Sequence, residues 1–133
     1  MFHKIMSLFQ KHTQPDIIVR ETDSSLQIHL CVNDEPKAKM ACVIKSDNSI
    51  LIGDITNESG AYCKGYSSLM MNELISYARR NGHTYLFGNL SVVDMDHAAR
   101  LHHFYEKFGF TITIYDEQQG SYYGKIEKWL GES

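Results

Sequence analysis

Two short stretches carry residues whose types and spacing could do chemistry. The first is Tyr62-Cys63-Lys64-Gly65-Tyr66-Ser67-Ser68, where a strand-like pattern gives way to a helix-like one. A glycine at such a junction lets the backbone approach a ligand closely. The first-turn N–H groups of the helix that follows lack partners and carry partial positive charge, which suits a phosphate. The hydroxyls of Ser67 and Ser68 and the charge of Lys64 can assist. Gly60 and Gly65 have the glycine spacing of a nucleotide-binding P-loop, but Tyr66 stands where its lysine belongs, and that reading fails at its central charge. Helix capping alone would also account for the glycine and the serines.

The second stretch is Phe104-Tyr105-Glu106-Lys107-Phe108-Gly109-Phe110, an aromatic helix end closed by glycine and followed by the start of a strand. Spacing makes Phe104, Phe108 and Phe110 core residues, and Tyr105 a core residue whose hydroxyl finds a partner. Among the titratable groups, Asp54, Glu58 and His97 are placed to take a proton from a substrate, although solvated surface groups of these types are common. His102 and His103 are adjacent and point apart on a helix; His102 and Glu106 share a face. That is an ordinary polar face, and no metal site is expected.

The elements that must position these stretches follow from periodicity. Phe2, Ile5, Met6 and Phe9 fall at helical spacing before Pro15, which gives a short amphipathic helix within residues 1–15. Strands are expected over 16–20, 25–32 (Leu26, Ile28, Leu30 and Val32 on one face), 39–45 and 49–55. Turns fall at 33–36 and 46–48. Gly53 inside the fourth strand signals a bulge or a close backbone approach. A helix over 64–80 carries the stripe Tyr66, Leu69, Met70, Leu74, Tyr77 and Ala78, with Gly82 just past its end. A strand over 85–92 leads to a helix capped by Asp94 or Asp96 and ending near Phe108. Strands over 110–115 and 122–130 form a final hairpin, turned at Gln118-Gln119-Gly120. The order is a β-meander followed by β-α-β-α-β-β, an α/β (α+β) chain whose mixed sheet contains a parallel pair around the first long helix.

Taken together, the two stretches and the order of elements resemble the GNAT superfamily of N-acyltransferases. In that family a strand leads into an Arg/Gln-x-x-Gly-x-Gly/Ala loop, and about forty residues on a helix ends in Tyr-x-Lys-x-Gly-Phe. Tyr62 to Ser67 lies on the first motif and Tyr105 to Phe110 on the second, and the resemblance runs from about Ile50 to Tyr115. It implies acetyl-CoA as co-substrate, held by Ile55 through backbone bonds and by Tyr62, Cys63, Lys64, Gly65, Tyr66, Ser67 and Ser68. It implies a fourth strand bulged near Gly53, Asp54 and Ile55 that splays from the fifth. It also implies Tyr105 as the general acid facing the CoA sulfur, with Asp54, Glu58 or His97 available as base. Cys63, in the phosphate loop, is no nucleophile, so transfer is direct. The sequence departs from the pattern at Tyr62 (Arg or Gln in the family), Ser67 (Gly or Ala) and Ala98 (Asn), and leaves no room for the usual helix pair between the first two strands.

Composition sets the frame. The chain has 133 residues, 43% hydrophobic and 22% charged, with net charge −3, and is read as one domain over 1–133. No basic stripe points to nucleic acid. The three cysteines fit no zinc spacing. No apolar run reaches the ~20 residues of a membrane span, and the location expected is cytoplasmic. The function expected is acetyl transfer to an amine of a small molecule or peptide. The alternative is a catalytically silent acyl-CoA-binding or protein-interaction module. The N-terminal helix and the late hairpin are candidate homodimer surfaces.

Overall fold

A computed structural model describes residues 14–58 and 65–131. The amphipathic segment over 2–11 lies outside the described residues. The elements are β1 (Asp16–Glu21), β2 (Ser25–Val32), β3 (Glu35–Ile44), β4 (Ile50–Asn57), α1 (Tyr66–Arg80), β5 (Tyr85–Ser91), a 3-10 segment (Val92–His97), α2 (Ala98–Lys107), β6 (Thr111–Gln119) and β7 (Tyr122–Trp129). The seven strands make one sheet in the order β1-β2-β3-β4-β5-β7-β6. β4 and β5 run parallel, as the helical crossover between them requires, and the other neighbours run antiparallel. The architecture is the mixed α/β sheet that the periodicity implies.

Strand alternation decides which face is covered. Leu26, Ile28, Leu30, Met40, Cys42, Ile50, Ile52, Leu86 and Leu90 recur every second residue and are buried, while their neighbours, apart from the buried Ser49 ahead of Ile50, are half-buried or exposed. The helix α1 lays Met70, Met71, Leu74, Tyr77 and Ala78 on that face. Each large side chain buried in this way contributes ~1.5–3 kcal/mol. Leu69, expected in the stripe, is exposed. At ~100° per residue it stands about 140° round the helix from Leu74, and Met71 takes its place in the core.

Local chemistry moves several boundaries. Asn33 and Asp34 both adopt positive φ, 54° and 65°, so the β2–β3 hairpin closes in two residues and Glu35-Pro36 belongs to β3. The link between β1 and β2 is only Thr22-Asp23-Ser24, and it holds no helix. β6 runs on to Gln119, which pairs with Tyr122 across Gly120-Ser121, so the last turn is shorter than expected. Neither Asp94 nor Asp96 caps α2: the cap is on the 3-10 segment, where the Ser91 hydroxyl accepts from the Val93 N–H. Among the described residues no helix is long and apolar enough to cross a membrane.

Candidate active site

The cleft begins where the parallel pair ends. β4 and β5 are in register at Ile50–Leu86, Leu51–Phe87 and Ile52–Gly88, and pair no further. On its other side β4 meets β3 with Cys42 opposite Ile52 and Ala41 opposite Asp54, which leaves Gly53 as the extra residue of a bulge. A Cβ at Gly53 would stand 2.9 Å from the carbonyl oxygen of Ala41, so the bulge demands glycine. The bulge turns β4 away from β5 and leaves the β5-facing backbone groups of the strand's second half without a ladder partner. Register also assigns sides. Ile55 stands opposite Met40 on the helix-covered side, and Asp54 opposite Ala41 on the other. The split therefore opens through the sheet.

The next wall is the start of α1. Gly65 is its N-cap residue, with φ 78° and ψ 10°. A Cβ there would meet none of the described residues within 4 Å, and the glycine serves the left-handed backbone. Among the described residues no side chain caps the helix, and its first turn holds no acidic residue. The first-turn N–H groups of Tyr66, Ser67 and Ser68 thus keep their positive end open toward the cleft, where all three line the wall. Asn57 donates to the Ser67 hydroxyl at 3.3 Å, tying β4 to the helix start. The Lys107 ammonium donates to the Ser68 hydroxyl at 3.1 Å and rides 5.7 and 5.2 Å from the ring centres of Phe104 and Phe108. It brings a cation from α2 to the first turn of α1.

The third wall is the 3-10 segment and α2, with Asp94, His97, Arg100, Leu101, Phe104 and Tyr105. Tyr105 is buried, edge-on to Phe104 and Phe110 at 5.4 Å each. Burial holds its phenol well above the ordinary range, with lesser contributions from Cys42 and Asp94. Cys42, buried beneath the bulge, has its thiol pushed up to about 12 by desolvation, partly offset by a bond to the backbone of Gly53. Both groups are neutral at physiological pH, and Tyr105 is a hydrogen-bond donor. The His97 ring has Nδ1 3.0 Å from an Asp96 oxygen and Nε2 3.6 Å from an Asp94 oxygen. The walls enclose about 490 Å³.

Most of the residues singled out from the sequence therefore meet in one place: Asp54, Ile55, Gly65, Tyr66, Ser67, Ser68, His97 and Tyr105 all line the cleft. Glu58 does not. It is exposed past the end of β4, and its backbone N–H donates to the Lys37 carbonyl at 2.8 Å, so the chain there still follows the edge of β3. Tyr62, Cys63 and Lys64 lie outside the described residues. Sequence reasoning missed Asn89, Asp94 and Arg100 as cleft residues and Lys107 as a partner of Ser68. The run Asp94-x-Asp96-His97 was a signal for part of this, since it crowds two carboxylates and an imidazole just after a strand.

Comparison with known proteins gives a consistent picture. The profile of the Acetyltransferase (GNAT) family matches residues 4–110. An uncharacterized protein of Bacillus subtilis, YocC, is 38% identical over 76 residues, which are 56% of this chain and 44% of that protein, so the match spans less than half of the relative. The PaiA N-acetyltransferase of Thermoplasma acidophilum, solved in complex with coenzyme A, superposes with a TM-score of 0.65 at 14% identity, covering 80% of this chain and 61% of that one. The ribosomal-protein-S18-alanine N-acetyltransferase of Escherichia coli superposes with a TM-score of 0.65 at 13% identity over 100% of this chain and 92% of that one. At these identities the superpositions speak to fold alone.

Proposed function

We propose, for a chain that belongs to the acetyltransferase (GNAT) family, that it transfers an acetyl group from acetyl-CoA directly to an amine. The observation that carries this reading is the split between β4 and β5, which opens directly between the uncapped start of α1 and the buried hydroxyl of Tyr105. The residues present fit such a co-substrate: a left-handed glycine, first-turn N–H groups, the hydroxyls of Ser67 and Ser68 and the Lys107 cation together form a phosphate cradle. The unladdered backbone around Ile55 supports an extended pantetheine-like arm, as a missing strand would be supported. Tyr62, Cys63 and Lys64 are proposed to complete the cradle on sequence grounds alone.

Bound there, acetyl-CoA supplies an activated acyl group whose thioester carbonyl must be polarised and whose sulfur must leave. Backbone N–H groups at the bulge polarise the carbonyl. Tyr105 donates a hydrogen bond to the departing sulfur. Its phenol is held too high to lose its proton outright, so the proton it gives is replaced from the nitrogen being acylated. Asp54 offers its carboxylate to the cleft from the face of the sheet away from α1.

Thermal unfolding with and without acetyl-CoA tests the reading. Ligand at ~100 times its dissociation constant stabilises the native state by ~2.7 kcal/mol, an easily measured shift. The shift is expected to disappear in Gly65→Glu, which sets a carboxylate at the phosphate cradle. An unchanged unfolding temperature at millimolar acetyl-CoA would remove the enzyme reading.

A further inference from the structure

We propose that His97 is the general base of this cleft, that Asp96 positions it, and that Asp94 holds the acceptor as a cationic primary amine. The inference rests on the acyl-transfer reading for its reaction, and on four observations of its own for its geometry.

First, His97 and Asp94 both line the cleft that also holds Tyr105. Second, His97 Nδ1 stands 3.0 Å from the Asp96 carboxylate. In the tautomer that carries its proton on Nδ1, toward Asp96, the Nε2 lone pair is free. Third, Nε2 lies 3.6 Å from the Asp94 oxygen, too far for a hydrogen bond but close enough for an ammonium to lodge against both atoms. Fourth, the phenols of Tyr105 and Tyr123 are raised by burial first, with the Asp94 charge among the lesser causes, as expected of a carboxylate within electrostatic reach of both. An acid and a base thus converge on one reacting centre. Asp96 is mostly exposed and outside the cleft lining, which fits an orienting role.

Chemistry favours the imidazole over the carboxylates. Imidazoles in model compounds titrate near ~6.5 and carboxylates near ~3.9, so the former are the better proton acceptors at neutral pH. Among the described residues, the titratable and charged groups that share the cleft with His97 are Asp54 from β4, Asp94 from its own segment, and Arg100 and Tyr105 from α2, with Asp96 beside the ring. The carboxylates outnumber the one arginine, which suits a cationic acceptor over an anionic one.

The step balances as follows. The ammonium gives one proton to His97 Nε2, which passes it to solvent. The freed lone pair attacks the thioester carbon, the C–N bond forms and the C–S bond breaks. The sulfur takes a proton from Tyr105, and Tyr105 recovers it from the nitrogen. Ammonium and acetyl thioester become amide, thiol and one released proton.

The test uses the full chain, n-butylamine, and the variants His97→Gln, Asp96→Asn and Asp94→Asn. Calorimetry should show coenzyme A binding within about twofold of wild type in all three. At pH 7 His97→Gln should lose at least ~100-fold in kcat/KM, the lower end of the range for a general base. Its deficit should shrink toward pH 10, where the amine loses its proton unaided. Asp96→Asn should shift the acidic limb of the pH profile, and Asp94→Asn should raise KM for the amine more than it lowers kcat. Wild-type turnover in His97→Gln at pH 7, with coenzyme A bound, overturns the proposal. Nitrogen NMR of the His97 ring decides independently of turnover: a protonated Nδ1, and an Nε2 resonance displaced by n-butylammonium in wild type but not in Asp94→Asn, support it. A ring protonated on Nε2, or one indifferent to the amine, overturns it. Failure to bind coenzyme A would instead strike the acyl-transfer reading, and the NMR result would still stand on its own.

Discussion

The two long walls of the cleft are built on opposite principles. The β4 and α1 wall works through backbone: a bulge that only glycine can fill, a left-handed N-cap glycine, and N–H groups that belong to no ladder or helix bond. The α2 wall works through side chains, with Asp94, His97, Arg100 and Tyr105 presented from a 3-10 segment and the helix that follows it. Backbone donors tolerate almost any side chain that leaves φ and ψ unchanged, so the first wall can drift in sequence and keep its ligand. The second wall keeps its chemistry only with specific groups.

The largest expected effect breaks this comparison at one atom. Tyr105→Phe removes a hydroxyl and leaves the buried ring among Phe104 and Phe110. Acetyl transfer should fall by about 10²–10⁴, while acetyl-CoA affinity, set by the β4 and α1 wall with Lys107, should hold. Steady-state kinetics beside calorimetry checks both halves, and a parallel loss of affinity would show that the walls do not divide the work. A smaller effect sharpens it. Asp54 belongs to the backbone wall by position but offers a carboxylate to the cleft; Glu58 lies beyond it. Asp54→Asn should raise KM for a cationic amine about tenfold, the worth of one charge-assisted bond, and Glu58→Gln should leave it unchanged. Equal effects from the two would return Glu58 to the site.

The sequence disclosed the backbone wall better than the side-chain wall. Gly53 interrupts an otherwise apolar strand and Gly65 stands between strand and helix, so each announces a backbone requirement through residue type alone. Strand alternation likewise gave β2 its bounds and put Met40 and Cys42 in the core. Asp94 illustrates what stays hidden. An aspartate after a strand and before a helix reads as a cap, and only the 3-10 segment, capped by Ser91 instead, swings it into the cleft. Glu58 failed for the reverse reason: sequence proximity to the bulge says nothing about which way an exposed strand end departs. The Lys107–Ser68 bond joins two helices far apart in the chain, and no local pattern encodes such a contact.

The walls meet at a buried pair, and its titration measures how tightly they are packed. Cys42 lies under the bulge on β3, and Tyr105 reaches over from α2. The Cys42 thiol, ordinarily at 9.0, is held up at about 12, and the Tyr105 phenol is raised from 10.0. Both folded-state values exceed the unfolded ones, so the native state binds these protons more tightly. Their contribution is complete below pH 9 and is lost as pH climbs through the folded values. Each group then costs up to ~1.4 kcal/mol per pH unit within its window. Between pH 9 and 10 only the thiol of this pair ionises in the unfolded chain. Urea midpoints should therefore begin to fall in that interval for wild type, and Cys42→Ala should flatten it. Tyr105→Phe should leave that interval alone and reduce the slope above pH 10, where Tyr77 and Tyr85, also raised to about 12, keep part of the decline. If the midpoints fall just as steeply from pH 9 in Cys42→Ala, the thiol is not sealed beneath the bulge, and the strand and helix walls are joined less closely than their packing indicates.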